Sequence, residues 1–129
     1  MRARASLELG DIDAADTWIA RALTTLREYD VTAVSEVYQD LGVIRAAQGR
    51  AAEAESSLRR GLDALIATDY HWNRVEPALD LARFLAGHGN TRGAAELVDT
   101  YGRWAHERAI HLWDEGIDEI RTLIAAGSA

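Results

Sequence analysis

Three glycines stand at Gly10, Gly49 and Gly89, separated by 39 and 40 residues. Each opens a polar turn: Gly10-Asp11, Gly49-Arg50 and Gly89-Asn90. Each turn then leads into an apolar pattern of helical period. Ile12, Ala15, Ile19, Ala22, Leu23 and Leu26 recur 39 residues later as Ala51, Ala54, Leu58, Gly61, Leu62 and Leu65. Their common spacing places one stripe along a helix of period 3.6. Ala94, Val98, Tyr101, Gly102 and Ala105 form a weaker third copy. A chain that repeats at this period is a stack of supersecondary units, none able to bury its stripe alone.

The helices ahead of the glycines align as well. Leu41, Gly42 and Ile44 match Leu81, Ala82 and Phe84 at a spacing of 40. The small residue in each lets a neighbouring helix approach closely. Composition agrees with a helical stack. The only proline is Pro77, and alanine is the commonest residue, which favours helix throughout. Seven helices account for the chain, at about 2–9, 11–29, 33–48, 50–67, 74–88, 91–108 and 113–126. Asp11 and Thr91 are the expected N-caps. Asn73 with Glu76 reads as a capping box, which puts Pro77 in a first turn.

The segment Tyr38-Gln39-Asp40-Leu41-Gly42, then Gly49-Arg50, Ala54, Leu58 and Gly61, resembles the tetratricopeptide repeat. The best unit covers about 35–68 and a poorer one about 75–108; the first, about 1–30, has only its second helix intact. The resemblance implies an all-α fold, a right-handed solenoid of antiparallel helix pairs in a single domain. The sequence departs from the family in three respects. Arg45 replaces the usual second aromatic, the closing proline is missing, and the period is about 40 instead of 34. Longer units of this kind resemble the extended repeats of bacterial regulatory proteins. Arg2 stands where Leu41 and Leu81 stand in later units. Met1 is therefore expected near a cut, with further repeats before it; a natural short first helix acting as a cap is the alternative.

The resemblance also implies a concave groove lined by the first helix of each unit. Its residues are Glu36, Gln39, Val43 and Ala46, then Glu76, Leu79, Arg83 and Ala86. Such a groove takes an extended peptide or a helix of a protein partner; a solvated face without a ligand is the plain alternative. Trp72, in a link beside His71 and Asn73, is a candidate interface anchor. From His106 onward the residues His106, Ile110, Trp113, Ile117, Ile120 and Ile124 form a heptad-like stripe. The stripe belongs either to a continuous helix or to a terminal helix that breaks near Asp114 and folds back. Length favours the break, since about 35 residues is long for a globular helix. The residues Ile110, Trp113, Ile117, Ile120 and Ile124 offer a possible seam for a homodimer.

Other functions find less support. The net charge is −7 and the fourteen basic residues, all arginine, are interspersed with acids. Direct nucleic-acid binding is therefore disfavoured. The arginine and alanine bias points to a GC-rich, bacterial coding sequence. No apolar run reaches membrane length, and no signal core follows the N-terminus, so the cytoplasm is expected. Cysteine is absent, which removes disulfides and thiol chemistry. The four histidines lack metal-ligand spacing, and no metal or cofactor is expected. Asp114, Glu115, Asp118 and Glu119 complement a helix N-terminus or attract a basic partner. No nucleophile or phosphate-loop motif occurs, which leaves an enzyme on a helical bundle as a remote alternative.

Overall fold

The computed structural model describes residues 2–68 and 71–127 and contains seven α-helices in them. They are α1 (Arg2–Glu8), α2 (Ile12–Thr25), α3 (Val31–Ala47), α4 (Ala51–Ile66), α5 (His71–Gly87), α6 (Thr91–Glu107) and α7 (Asp114–Gly127). No strand occurs among the described residues. The helices form two compact units, α1–α4 in residues 1–69 and α5–α7 in residues 70–129. The link expected over 68–72 falls partly outside the described residues, at Asp69 and Tyr70.

Helix ends explain the repeat. At Gly10, Gly49 and Gly89 the backbone turns left-handed, with φ of 83°, 75° and 87°. The next residue then reaches back to close the helix. The N–H groups of Asp11, Arg50 and Asn90 donate to the carbonyls of Ser6, Arg45 and Leu85, each at 2.9 Å. This closure satisfies a carbonyl that the helix end leaves orphaned, and glycine adopts its left-handed residue without strain. α6 ends with the same bond, Ile110 N–H to Ala105 O at 2.9 Å, but the left-handed residue is Ala109, at φ 53°. A turn with no glycine is invisible to a search for turn residues. The break that helix length favoured is present.

Helix starts follow side-chain capping. The carboxylates of Asp11 and Asp30 accept from Ala14 N–H at 2.9 Å and Ala33 N–H at 3.1 Å. Asn90, not Thr91, caps α6, accepting from Gly93 N–H at 2.9 Å. The expected capping box at Asn73 and Glu76 is not a helix start. α5 already begins at His71, and Pro77 is inside the helix. α2 stops at Thr25, short of the expected 29, with Leu26 extended. The Thr24 hydroxyl donates to Arg21 O at 2.7 Å, the kind of local bond that competes with helix continuation.

In the first unit, Ala15 and Ile19 of α2 pack against Val37, Leu41 and Ile44 of α3. Ile19, Ile44 and Leu58 are fully buried, each stabilising by about 1.5–3 kcal/mol. α3 and α4 meet through small residues. A Cβ on Gly42 would stand 2.5 Å from Leu58 Cγ and 3.1 Å from the Ala54 carbonyl. A Cβ on Gly61 would stand 3.0 Å from Ser35 O and 3.2 Å from Gln39 N. Arg45, the residue that departs from the family pattern, joins two helices. Its guanidinium donates to Asp16 of α2 at 2.7 Å and to Gln48 at 2.8 Å. In the second unit, α7 packs on both α5 and α6. Trp113, Ile117 and Ile120 are buried there with Val75, Leu85 and Val98.

Two outcomes follow from these contacts. Gly42→Ala pushes a methyl into the buried Leu58 and lowers stability by about 1–3 kcal/mol. At Gly102 the nearest atom to an added Cβ is Ile117 Cδ1, at 3.6 Å, an ordinary contact. Gly102→Ala thus raises stability by about 0.5–1 kcal/mol through helix propensity. Denaturant unfolding measures both, and equal signs for the two would contradict the packing.

The Arg45 hydrogen bond, with its positive charge, holds the Asp16 carboxyl below the ordinary range, against a smaller desolvation effect. A depressed folded pKa contributes stability above the unfolded value of about 3.9 that is lost as pH falls through the folded value. Asp16→Asn should flatten the fall in unfolding midpoint below about pH 4, and an unchanged acid limb would contradict the pairing.

Candidate functional site

The helices place the expected groove residues differently from their spacing alone. In α3, Glu36 is exposed and Val43 half-buried, but Gln39 is 7% exposed. Gln39 is held under Gly61 of α4. In α5, Glu76 is exposed, while Leu79 is 4% and Ala86 6% exposed. Both are buried. Arg83 is bound on two sides, to Asp80 at 3.2 Å and to Glu119 of α7 at 3.4 Å. Its guanidinium also lies 3.6 Å from where a Cβ on Gly116 would stand. α7 therefore covers part of the α5 face expected to be open. Spacing gives the side of a helix that residues share, not what lies against it. The open residues are Glu36 and Val43 on the first unit and Glu76 on the second.

The terminal stripe is likewise occupied. Trp113, Ile117 and Ile120 are 7%, 9% and 0% exposed, and Ile110 and Ile124 are half-buried. The stripe packs within the second unit and is not a free seam for a second molecule. Its carboxylates divide by position. Asp114 and Glu115 occupy the first turn of α7, where negative charge complements the helix dipole. Asp114 also meets His111 Nδ1 at 2.9 Å, and Glu119 holds Arg83.

Trp72 is half exposed, as expected of an anchor, and its inner edge rests on Trp113 at 4.9 Å between ring centroids. Around it lies an aromatic group that spacing did not reveal. His71 stacks on Trp104 at 6.2 Å, and the Arg108 guanidinium lies 4.7 Å from the same indole. Leu112 is exposed beside Trp113 in the chain. The members come from two helix ends and the α6–α7 link, so no single periodic window contains them. His88 is accounted for by its own helix end: Nδ1 is 2.8 Å from Phe84 O and the ring stacks on Phe84.

Open clefts occur on both units. The cleft on the first, about 650 Å³, lies between the start of α3 and one face of α4. Arg60 crosses it, pairing with Glu28 at 3.3 Å and covering Tyr38 at 4.4 Å. The cleft on the second, about 380 Å³, runs between α6 and α7 with Asp99, Arg103, His106 and Asp118 on its walls. Both mix charges of either sign. No group of three His, Asp or Glu side chains is placed to hold a metal among the described residues. No described helix is long and apolar enough to cross a membrane.

The assignment of Arg83 to packing has a direct check. A double-mutant cycle on Arg83 and Glu119 should give a coupling of about 0.2–1 kcal/mol in unfolding free energy, weakened by salt. A coupling of zero at low salt would return Arg83 to the open surface.

No family model, curated protein or solved structure matches the chain.

Proposed function

We propose that the chain is a helical-repeat binding module that recognises a protein or peptide, built like the tetratricopeptide repeat from antiparallel helix pairs stacked as a right-handed solenoid. One observation carries this reading: the small residues of the repeat pattern stand where α3 and α4 approach most closely. Gly42 lies against Leu58 and Ala54, and Gly61 lies against Ser35 and Gln39. The partners of α3 fall in α4 as α3 ascends, which supports an antiparallel pair. Regular close packing leaves exposed helix faces as the adaptable part of such a module. On this reading Glu36 and Val43 of α3, and Glu76 of α5, supply recognition surface, with the half-exposed Trp72 as an anchor. Affinity then comes from shape and charge complementarity. The 40-residue period and the arginine-only cations support placing the module in a bacterial regulator.

The test is capture of partner from cell extract by purified protein. Glu36→Arg with Val43→Asp, Glu76→Arg and Trp72→Ala are compared with the unsubstituted chain, with helicity checked by circular dichroism. Loss of a hot-spot contact should weaken capture by roughly tenfold or more. Undiminished capture by all the folded variants would remove these residues from the interface.

A further inference from the structure

The join between α6 and α7 is built against its own sequence. Residues 108–113 read Arg-Ala-Ile-His-Leu-Trp, with no glycine, proline, asparagine, aspartate or serine. That composition tolerates helix and offers nothing a turn requires. The stripe His106, Ile110, Trp113, Ile117, Ile120 and Ile124 keeps helical spacing across the join. Yet the backbone reverses at Ala109 with φ 53°, where the three equivalent helix ends have glycine. Alanine disfavours that conformation by roughly 5- to 30-fold. The Trp113 indole Nε1 is buried without a hydrogen-bond partner among the described residues.

What holds α7 in place is independent of the join. Ile117 and Ile120 are buried, and α7 packs on α5 and α6. Arg83 pairs with Glu119 at 3.4 Å and Arg121 with Asp99 at 3.8 Å. An α7 from a second molecule carries the same side chains and reproduces each of these contacts. Only the join would differ, and it is the strained part.

We infer that α7 exchanges between two copies of this chain. Residues 108–113 straighten into helix, α6 and α7 become one continuous helix, and each α7 docks on the α5–α6 face of its partner. The left-handed turn at Ala109 is released twice per dimer. Exchange of an identical element needs no new surface, only an opened hinge. The heptad-like stripe, whose Trp113, Ile117 and Ile120 are buried within one molecule, then serves self-association by exchange and not as an exposed seam. This inference does not rest on the proposed binding function: it is drawn from the backbone at Ala109 and the packing of α7.

Light scattering on the full chain from about 1 μM to about 1 mM should show a dimer that grows with concentration. Ala109→Gly relieves the closed turn without touching the packing. It should raise the dimer dissociation constant by about 25-fold, five-fold for each of the two joins. The chain has no cysteine, so Asp99→Cys with Arg121→Cys and a short bismaleimide report where α7 sits. Cross-linked dimer on a denaturing gel indicates exchange. A monomer throughout the range, a dimer indifferent to Ala109→Gly, or cross-links confined within single chains would each overturn the inference.

Discussion

The left-handed closure of a helix end recurs through both units. It appears after α1, α3, α5 and α6, with the same backward hydrogen bond at 2.9 Å in each. A helix that ends this way satisfies an orphaned carbonyl and redirects the chain within one or two residues. After each of the three glycines the next helix begins almost at once, capped by Asp11 after Gly10 and by Asn90 after Gly89. Close packing of consecutive helices depends on that economy. Gly42 and Gly61 can meet their partners in α4 and α3 only because the connection between the two helices is three residues long.

Polar groups reinforce this arrangement where apolar packing thins. α2 has few buried residues, Ala15 and Ile19, and Arg45 ties it to α3 through Asp16. α1 is short, and Arg4 reaches Asp40 of α3 at 3.1 Å. Both contacts place a guanidinium on a carboxylate at a partly buried helix junction, where such bonds exceed the strength of exposed pairs. In the second unit the corresponding pairs, Arg83–Glu119 and Arg121–Asp99, are more exposed. There α7 depends mainly on Ile117, Ile120 and Trp113.

Much of this was legible in the sequence because it is periodic. The seven helices, the glycine closures and the Asp11 cap follow from spacing and local chemistry, and the break before α7 follows from helix length alone. What escaped were features fixed by neighbours. Gln39 and Leu79 lie at regular groove positions, but burial depends on which helix packs over them. The α5 start misled because Asn73, Glu76 and Pro77 imitate a first turn three residues inside the helix. Ala109 hid a turn because nothing about an alanine predicts positive φ. The aromatic group of His71, Trp72, Trp104 and Trp113 assembles across two helix ends and the α6–α7 join, beyond the reach of any one window.

The proposed binding surface and the proposed exchange of α7 share one physical basis: helices that are regular in the middle and decided at their ends. The most direct measurement is a reciprocal pair of substitutions at equivalent ends. An added Cβ at Gly49 meets nothing within 4 Å, so Gly49→Ala tests the backbone alone. Unfolding in denaturant, at protein concentrations dilute enough to keep the chain monomeric, should show Gly49→Ala destabilising by about 1 kcal/mol and Ala109→Gly stabilising by a similar amount. Shifts of the same sign, or no shift at either end, would contradict the claim that one left-handed closure governs both.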